Sequence, residues 1–590
     1  MKSFFKTLFA TTLGCFIALF IGGLVIVGII GSIAAFAEEE PVTVPSSAVL
    51  LIDITKPITE QSSDDPMSAL KTFNFNADTK TLGILPAIKA IENAATDPAI
   101  KFIYLRNNGM GLTMGLTMAE ELRGALKKFR ASGKAIIAYG DNYSQADYYL
   151  ASVADKVYIN NEGNGIFTGL NVNMLFFKDL LEKLGIDVQL IRHGKYKAAA
   201  EQFVSSNISP DNYKQNKEML DAIWGTWVSD IADSRDISAE EFNNAVDNLE
   251  LWNAESLEKR KLIDGALTRS ELSEQLTTLF GVEKEKDLKV ISLGDYSKAT
   301  SKTNFKVKEK IAIVYASGEI AMNAQEGLTA KKFYPILNEI KEDSTIKAVV
   351  LRVNSPGGDA QAAEIINNEL QLIREKKPVV VSMGEYAASG GYWISAHSER
   401  IFTDATTLTG SIGVFSLYPS YGDAAKKLLK INNVNIGTNK HSSFMNMVNP
   451  LNSTEEAFMQ RFVDDFYGKF TELVASGRNL PVSYVDSIAQ GRVWAGTDAV
   501  RLKLADEIGG IDTALDYAAN LAGLTDYRIN EYPKVKTSIE VLMEQLGGAS
   551  SSVKVLSNPY ALIESAYKSL KDEREVKSYA RLPYVYEFNY

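Results

Sequence analysis

Three pairs of segments in this 590-residue chain match each other at almost one spacing, and no other feature limits the possible folds as much. Ile100-Lys101-Phe102-Ile103-Tyr104-Leu105-Arg106-Asn107-Asn108 shares five of nine positions with Ile346-Lys347-Ala348-Val349-Val350-Leu351-Arg352-Val353-Asn354, 246 residues later. Gly140 to Tyr149 aligns with Gly384 to Trp393 at a spacing of 244, and Trp252 to Asp264 with Trp494 to Asp506 at 242. The near-constant offset predicts two copies of one fold, over 46–285 and 308–525, joined by a polar segment around Asp295 to Lys308. Residues 1–40 precede them, and an extension over 526–590 follows. Each copy alternates short apolar runs, such as Lys310-Ile311-Ala312-Ile313-Val314-Tyr315, with helical patterns such as Ala360 to Glu375. That order reads as βα units around a parallel sheet.

The N-terminus has a different character. Thr7 to Ala37 runs for 31 residues without a charge, after Lys2 and Lys6 and before Glu38-Glu39-Glu40. Roughly 20 such residues cross a hydrocarbon core. The charge order predicts a single-pass transmembrane anchor with its short end in the cytoplasm and the body outside. A cleaved signal peptide ending at Ala35-Phe36-Ala37 is the rival, but the run is long for one. The net charge of −11 argues against a nucleic-acid partner, which needs a basic surface. Cys15 is the sole cysteine, so neither an intrachain disulfide nor a cysteine metal site can form.

The chemistry centres on Gly384-Glu385-Tyr386-Ala387-Ala388-Ser389-Gly390-Gly391-Tyr392-Trp393. A β-branched run from Pro378 to Met383 precedes it and reads as a buried strand, with Ile394-Ser395-Ala396 able to start a helix after it. Ser389 thus sits on a strand-to-helix turn, with the Gly390 N–H placed to meet a developing oxyanion. Asn354-Ser355-Pro356-Gly357-Gly358-Asp359 reads as a second strand-to-helix loop, with Gly357 a candidate second donor at a helix N-terminus. The first copy has Gln145-Ala146-Asp147 opposite Ser389-Gly390-Gly391 and lacks the Ser-Pro-Gly-Gly pattern, so one competent site per chain is expected. A serine hydroxyl needs a base. The residues leave it open between one of three histidines, His193, His397 or His441, and a lysine with a lowered pKa. His397 is expected on the following helix, pointing away. His193 and His441 are expected in segments that follow strands.

Together, Gly194-Lys195-Tyr196-Lys197-Ala198-Ala199-Ala200-Glu201-Gln202-Phe203, the Ser389 turn, the Ser355-Pro356-Gly357-Gly358 loop and Thr409-Gly410-Ser411-Ile412-Gly413-Val414 closely resemble the long, two-repeat form of the signal peptide peptidase A (protease IV) family. The resemblance implies a fold of two tandem ClpP/crotonase-like α/β repeats after an N-terminal transmembrane helix, assembled as a homotetramer. It implies a serine endopeptidase that degrades remnant signal peptides at the inner (cytoplasmic) membrane, with its catalytic body on the periplasmic side. The implied roles are Ser389 as nucleophile, Lys197 as general base, Ser411 as support for that lysine, and the backbone of Gly390 and Gly357 as oxyanion donors. No metal or organic cofactor is implied.

The repeat agrees with a site split between the halves. Aligning Val188-Gln189-Leu190 with Val434-Asn435-Ile436 sets Ser443 opposite Lys197, so the second copy lacks the base as the first lacks the nucleophile. Gln202 stands where the family often has proline, which affects the turn more than the chemistry. Glu201, one residue beyond the Ala198–Ala200 run, is expected to point away from Lys197, because pairing would raise the amine's pKa. Two other classes remain possible: a crotonase-type acyl-CoA enzyme and a silent membrane-anchored scaffold that binds peptides. Tyr148, Tyr149, Tyr392 and Trp393 are expected in the core.

Overall fold

The computed structural model describes residues 42–64, 80–107, 111–301, 304–324, 327–535 and 579–581, with a few isolated positions before residue 22. The apolar run over 7–37 lies largely outside the described residues, as do an amphipathic stretch near 538–546, a Lys/Glu-rich stretch near 565–577 and the last residues, 584–590, of the extension. Among the described residues no helix is long and apolar enough to cross a membrane.

Two sheets share one order of six parallel strands; the second adds Leu408–Gly410 and, antiparallel to it, Val493–Ala495. The first runs Gly265–Ala266, Lys156–Ile159, Ile136–Gly140, Ile100–Asn107, Ala48–Asp53 and Val290–Ser292. The second repeats that sequence of neighbours with Glu507–Ile508, Arg400–Thr403, Val379–Ala388, Ile346–Ser355, Lys310–Ser317 and Arg528–Tyr532. Each sheet therefore closes on a strand just past the end of the copy read from the sequence. The described residues from Ser46 onward form one compact unit.

The strands are apolar on both faces because helices cover both faces of a parallel sheet. In the second sheet Val314, Val349 and Val381 are fully buried with Leu337, Ile366 and Leu370 from covering helices. Each such side chain contributes about 1.5–3 kcal/mol by leaving water. The four aromatics after the two turns are also core. The Tyr148 hydroxyl donates to the Leu262 carbonyl and that of Tyr392 to Leu504, at equivalent places in the two copies.

A third sheet joins the halves. Asp187–His193 from the first copy pairs antiparallel with Val414–Ser420 from the second, from Asp187↔Ser420 to His193↔Val414. This register decides what meets beyond its end, because the residues following His193 must run alongside those preceding Val414. The same sheet contains Tyr579–Arg581, antiparallel to Gly357–Asp359 and touching Phe415. The presumed counterpart of the first-copy strand, Val434-Asn435-Ile436, is not a strand; these residues lie in an exposed irregular segment.

Candidate active site

Ser389 follows the strand Val379–Ala388 and opens the single helical turn Gly390–Trp393, earlier than the helix start read near Ile394. Its backbone lies at φ 56° and ψ −114°, a region costly for a residue with a Cβ. Two bonds hold it there: its N–H donates to the Gly410 carbonyl at 2.8 Å, and its carbonyl accepts from the Trp393 N–H at 2.8 Å. Gly391 has no room for a side chain, because a Cβ would stand 2.6 Å from the Ser355 carbonyl oxygen. The N–H groups of the first helical residues have no partner within the helix. At the equivalent turn of the first copy, the Gln145 amide instead bonds the backbone of Thr168 and Gly169, and Ser144 and Asp147 form a capping box.

Lys197 lies four residues beyond His193, and Ser411 lies three before Val414. The cross-half register brings them together. The Lys197 Nζ is 2.8 Å from Ser389 Oγ, 3.0 Å from Ser411 Oγ and 3.1 Å from the Ser411 carbonyl oxygen. All three residues have no exposed surface. Burial alone pushes the lysine well below its ordinary pKa, with no charged partner acting on it. A neutral amine carries two N–H donors and one lone pair, which fits these contacts: donation to the two Ser411 oxygens and acceptance from the Ser389 hydroxyl. Glu201 turns away, accepting from the Ser209 N–H at 3.0 Å and from Asn212 Nδ2 at 2.5 Å.

The histidines are engaged elsewhere. His193 is the last residue of its strand rather than beyond it, and bonds Asp464 at 2.8 Å. His397 bonds Ser476 at 2.8 Å, and His441 bonds Glu455 at 2.9 Å. Ser443, aligned with Lys197, stands in a turn.

Gly357 departs from its sequence reading. The helix begins only at Ala360, capped by the Asp359 carboxylate, which accepts from the Ala362 N–H at 2.8 Å. Gly357 therefore belongs to a short strand, Gly357–Asp359, outside the helix N-terminus, and its N–H donates to Ser355 Oγ at 3.2 Å. Its φ of +93° still requires glycine.

Two supports were not legible in the sequence. Arg352, fully buried, donates to Glu60 at 2.7 Å, to both Glu121 oxygens at 2.9 and 3.0 Å, and to Ser382 at 2.9 Å. It ties first-copy residues to the strands that lead to Ser355 and Ser389. Nearby Glu385 is pushed up to about 7, mainly by burial, with the Thr117 N–H at 3.3 Å opposing. The second support is the turn Gln490–Arg492 against Lys197. Nothing local marks either for this role; each matters through contacts with segments hundreds of positions away.

Comparison with known proteins gives the family. Residues 128–283 and 371–525 each match the sequence profile of Peptidase family S49. The chain thus belongs to peptidase family S49 and is a serine protease, with one match in each copy of the repeat. It is 34% identical to Protease 4 of Haemophilus influenzae, over 77% of this chain and 75% of that one. Against Protease 4 of Salmonella typhi the figures are 33%, 85% and 82%, and against the chloroplastic serine protease SPPA of Arabidopsis thaliana 30%, 77% and 68%. A solved ClpP1 mutant from Listeria monocytogenes matches 34% of this chain and 94% of its own at 16% identity, with a TM-score of 0.24, too low to establish a shared fold.

Proposed function

We propose that this protease is a Ser-Lys endopeptidase that degrades remnant signal peptides, with Ser389 as nucleophile and Lys197 as general base. The observation that carries the reading is an amine with no access to water, 2.8 Å from a serine oxygen on a strained turn. Ser389 Oγ attacks a peptide carbonyl while Lys197 takes its proton. The Gly390 N–H receives the oxyanion, and the Gly357 N–H joins by exchanging Ser355 Oγ for it. Collapse breaks the C–N bond, and Lys197 gives the proton to the departing amine, leaving an acyl-enzyme. Lys197 then takes a proton from water, whose oxygen attacks the ester; the ester C–O bond breaks, and Lys197 returns the proton to Ser389 Oγ.

An extended peptide would lie along Gly357–Asp359 in place of Tyr579–Arg581, the antiparallel strand that pairs there. A cleft of about 680 Å³ beside it, lined by Tyr315, Phe333, Pro356 and Tyr386, suits an apolar substrate residue. The uncharged run over 7–37 supports a single-pass anchor in the cytoplasmic membrane with the body on the extracytoplasmic side. The finer fold reading is a ClpP/crotonase-like spiral in each copy. A homotetramer is supported by exposed apolar residues on neighbouring elements: Leu180 and Leu184 on Lys178–Leu184, Leu428 and Leu429 on Gly422–Leu429, then Ile431, Val434 and Ile436.

Labelling with a fluorophosphonate tests the chemistry. The unaltered protein should be labelled at Ser389, and both Ser389→Ala and Lys197→Ala should lose the label together with peptide cleavage. A protein that never labels would be a scaffold, and one that binds CoA thioesters instead would be an acyl-CoA enzyme. Full activity in Lys197→Ala, with loss in His397→Ala or His441→Ala, would overturn the base assignment.

A further inference from the structure

The turn Gln490-Gly491-Arg492 belongs to the second half, yet it wraps the lysine of the first. The Gln490 carbonyl accepts from the Tyr196 N–H at 2.9 Å, and the Gly491 N–H donates to the Ile412 carbonyl at 2.8 Å. The Arg492 carbonyl accepts from the Ser411 N–H at 2.6 Å, and the Gly491 carbonyl from Ser411 Oγ at 3.4 Å. One short turn therefore grips both neighbours of the amine, the residue before Lys197 and the serine that receives its N–H groups.

Contact is close on every side. A Cβ on Gly491 would stand 2.5 Å from Lys197 Cβ and 2.6 Å from its backbone nitrogen. One on Gly194 would stand 2.4 Å from the Gln490 carbonyl carbon, and one on Gly413 would stand 2.6 Å from Gly491 Cα. Three glycines thus let three chain segments stack with no gap for water. Gly491 also sits at φ +79°.

The turn is fixed from outside. Gln490 Nε2 donates to Asp486 at 2.6 Å and to the Tyr467 hydroxyl at 3.1 Å. Gln215, buried on the helix Pro210–Arg235, donates to the Tyr196 carbonyl at 3.0 Å and accepts from the Val493 N–H at 3.3 Å. The Arg492 guanidinium lies 3.8 Å from the centre of the Trp494 ring and pairs with Glu218. The charged groups on these packed elements have partners away from the amine. Arg192 donates to the Lys197 carbonyl, Glu201 bonds Asn212, Lys195 pairs with Asp211, His193 with Asp464, and Asp486 accepts from Tyr467.

We infer that Gln490–Arg492 is the positioning element of the general base, with Gly491 the residue on which the aim and the dryness of the Lys197 amine depend. The inference rests on the Ser389-Lys197 reading. A side chain at 491 must push the Lys197 backbone aside, which moves Nζ off Ser389 and opens a route for water to it. Hydration stabilises the ammonium, so the lysine pKa climbs back toward its ordinary value and activity needs a higher pH.

The test compares full-length Gly491→Ala with Gly523→Ala. Gly523 has a similar left-handed backbone, φ +65°, but nothing within 4 Å, so it reproduces the strain without the contact. For Gly491→Ala, kcat/KM on a short peptide substrate should fall about 100-fold at neutral pH, as displacement of a reacting group by about an ångström implies. The fall should lie in kcat rather than KM, and the acid limb of the pH–rate profile should move up by about one unit. Gly523→Ala should keep both rate and limb. Gln215→Leu adds nothing near the amine but cuts the tie between Tyr196 and Val493. It should move the limb the same way with a loss of about tenfold.

An unmoved limb and rate in Gly491→Ala, or in Gln215→Leu should the first variant not fold, overturns the inference. A parent protein that never labels at Ser389 overturns the dyad as well. A reactive parent with an unmoved Gly491→Ala profile overturns the positioning role alone.

Discussion

Lys197→Met should abolish catalysis and also change how stability responds to pH. The unfolded chain carries this lysine at an ordinary pKa near 10.5, whereas burial holds it well below that in the fold. Between the two values the unfolded state binds one more proton than the folded state. Stability of the parent therefore rises with pH across that window, by about 1.4 kcal/mol per unit for one proton. The contribution is complete above the unfolded value and fully lost below the folded one. Methionine is unbranched, similar in volume and carries no proton, so the variant lacks that slope. It also leaves the Ser389 hydroxyl without an acceptor and the Ser411 oxygens without an N–H donor, at about 1–3 kcal/mol for each buried group left unpaired. That second effect is independent of pH and moves the whole curve without tilting it. Urea unfolding of both proteins at a series of neutral to alkaline pH values separates the two. The parent should gain on the variant steadily as pH rises. Parallel curves would mean that the amine is charged or hydrated in the fold, and would refute the argument from burial.

Two further expectations follow from the same geometry. Ser411→Ala removes a hydroxyl 3.0 Å from the amine and leaves the carbonyl, so kcat/KM on a peptide ester should fall about tenfold, the value of one hydrogen bond. Glu385 is raised to about 7 in the fold, so its ionisation opposes folding as pH climbs from its ordinary value of 4.5 to about 7 and fully above that. Glu385→Gln should raise the melting temperature at about pH 8, by an effect of up to roughly 3 kcal/mol, and leave it nearly unchanged at about pH 5.

The repeated architecture was readable because parallel strands buried on both faces are written as contiguous apolar runs. Two copies of the pattern at one spacing implied one fold twice over, but not the order of strands within each sheet. The turn at Ser389 was visible for a local reason: small residues must follow a serine whose backbone is forced to positive φ. Lys197 was not readable from spacing, since a lysine buried in the fold has the same local signature as one in water. A family resemblance had to supply it. The position of Gly357 was misread because a Ser-Pro-Gly-Gly run signals a turn without saying where the next helix starts; Asp359 sets that start. Val434 to Ile436 has strand-like composition but no partner edge, and composition cannot reveal a missing neighbour. The Arg352 cluster and the Gln490–Arg492 turn escaped for the same reason, as their effects arise wholly from contacts between distant segments.

The two reactive side chains lie 192 residues apart in the chain. Lys197 is synthesised before Ser389, and the two meet only once the strand Asp187–His193 has paired with Val414–Ser420. If Ser389 and Lys197 are the dyad, either half alone lacks one of the two groups and should cleave nothing. On the proposed dyad, the joining of the two halves is then the step that arms the site.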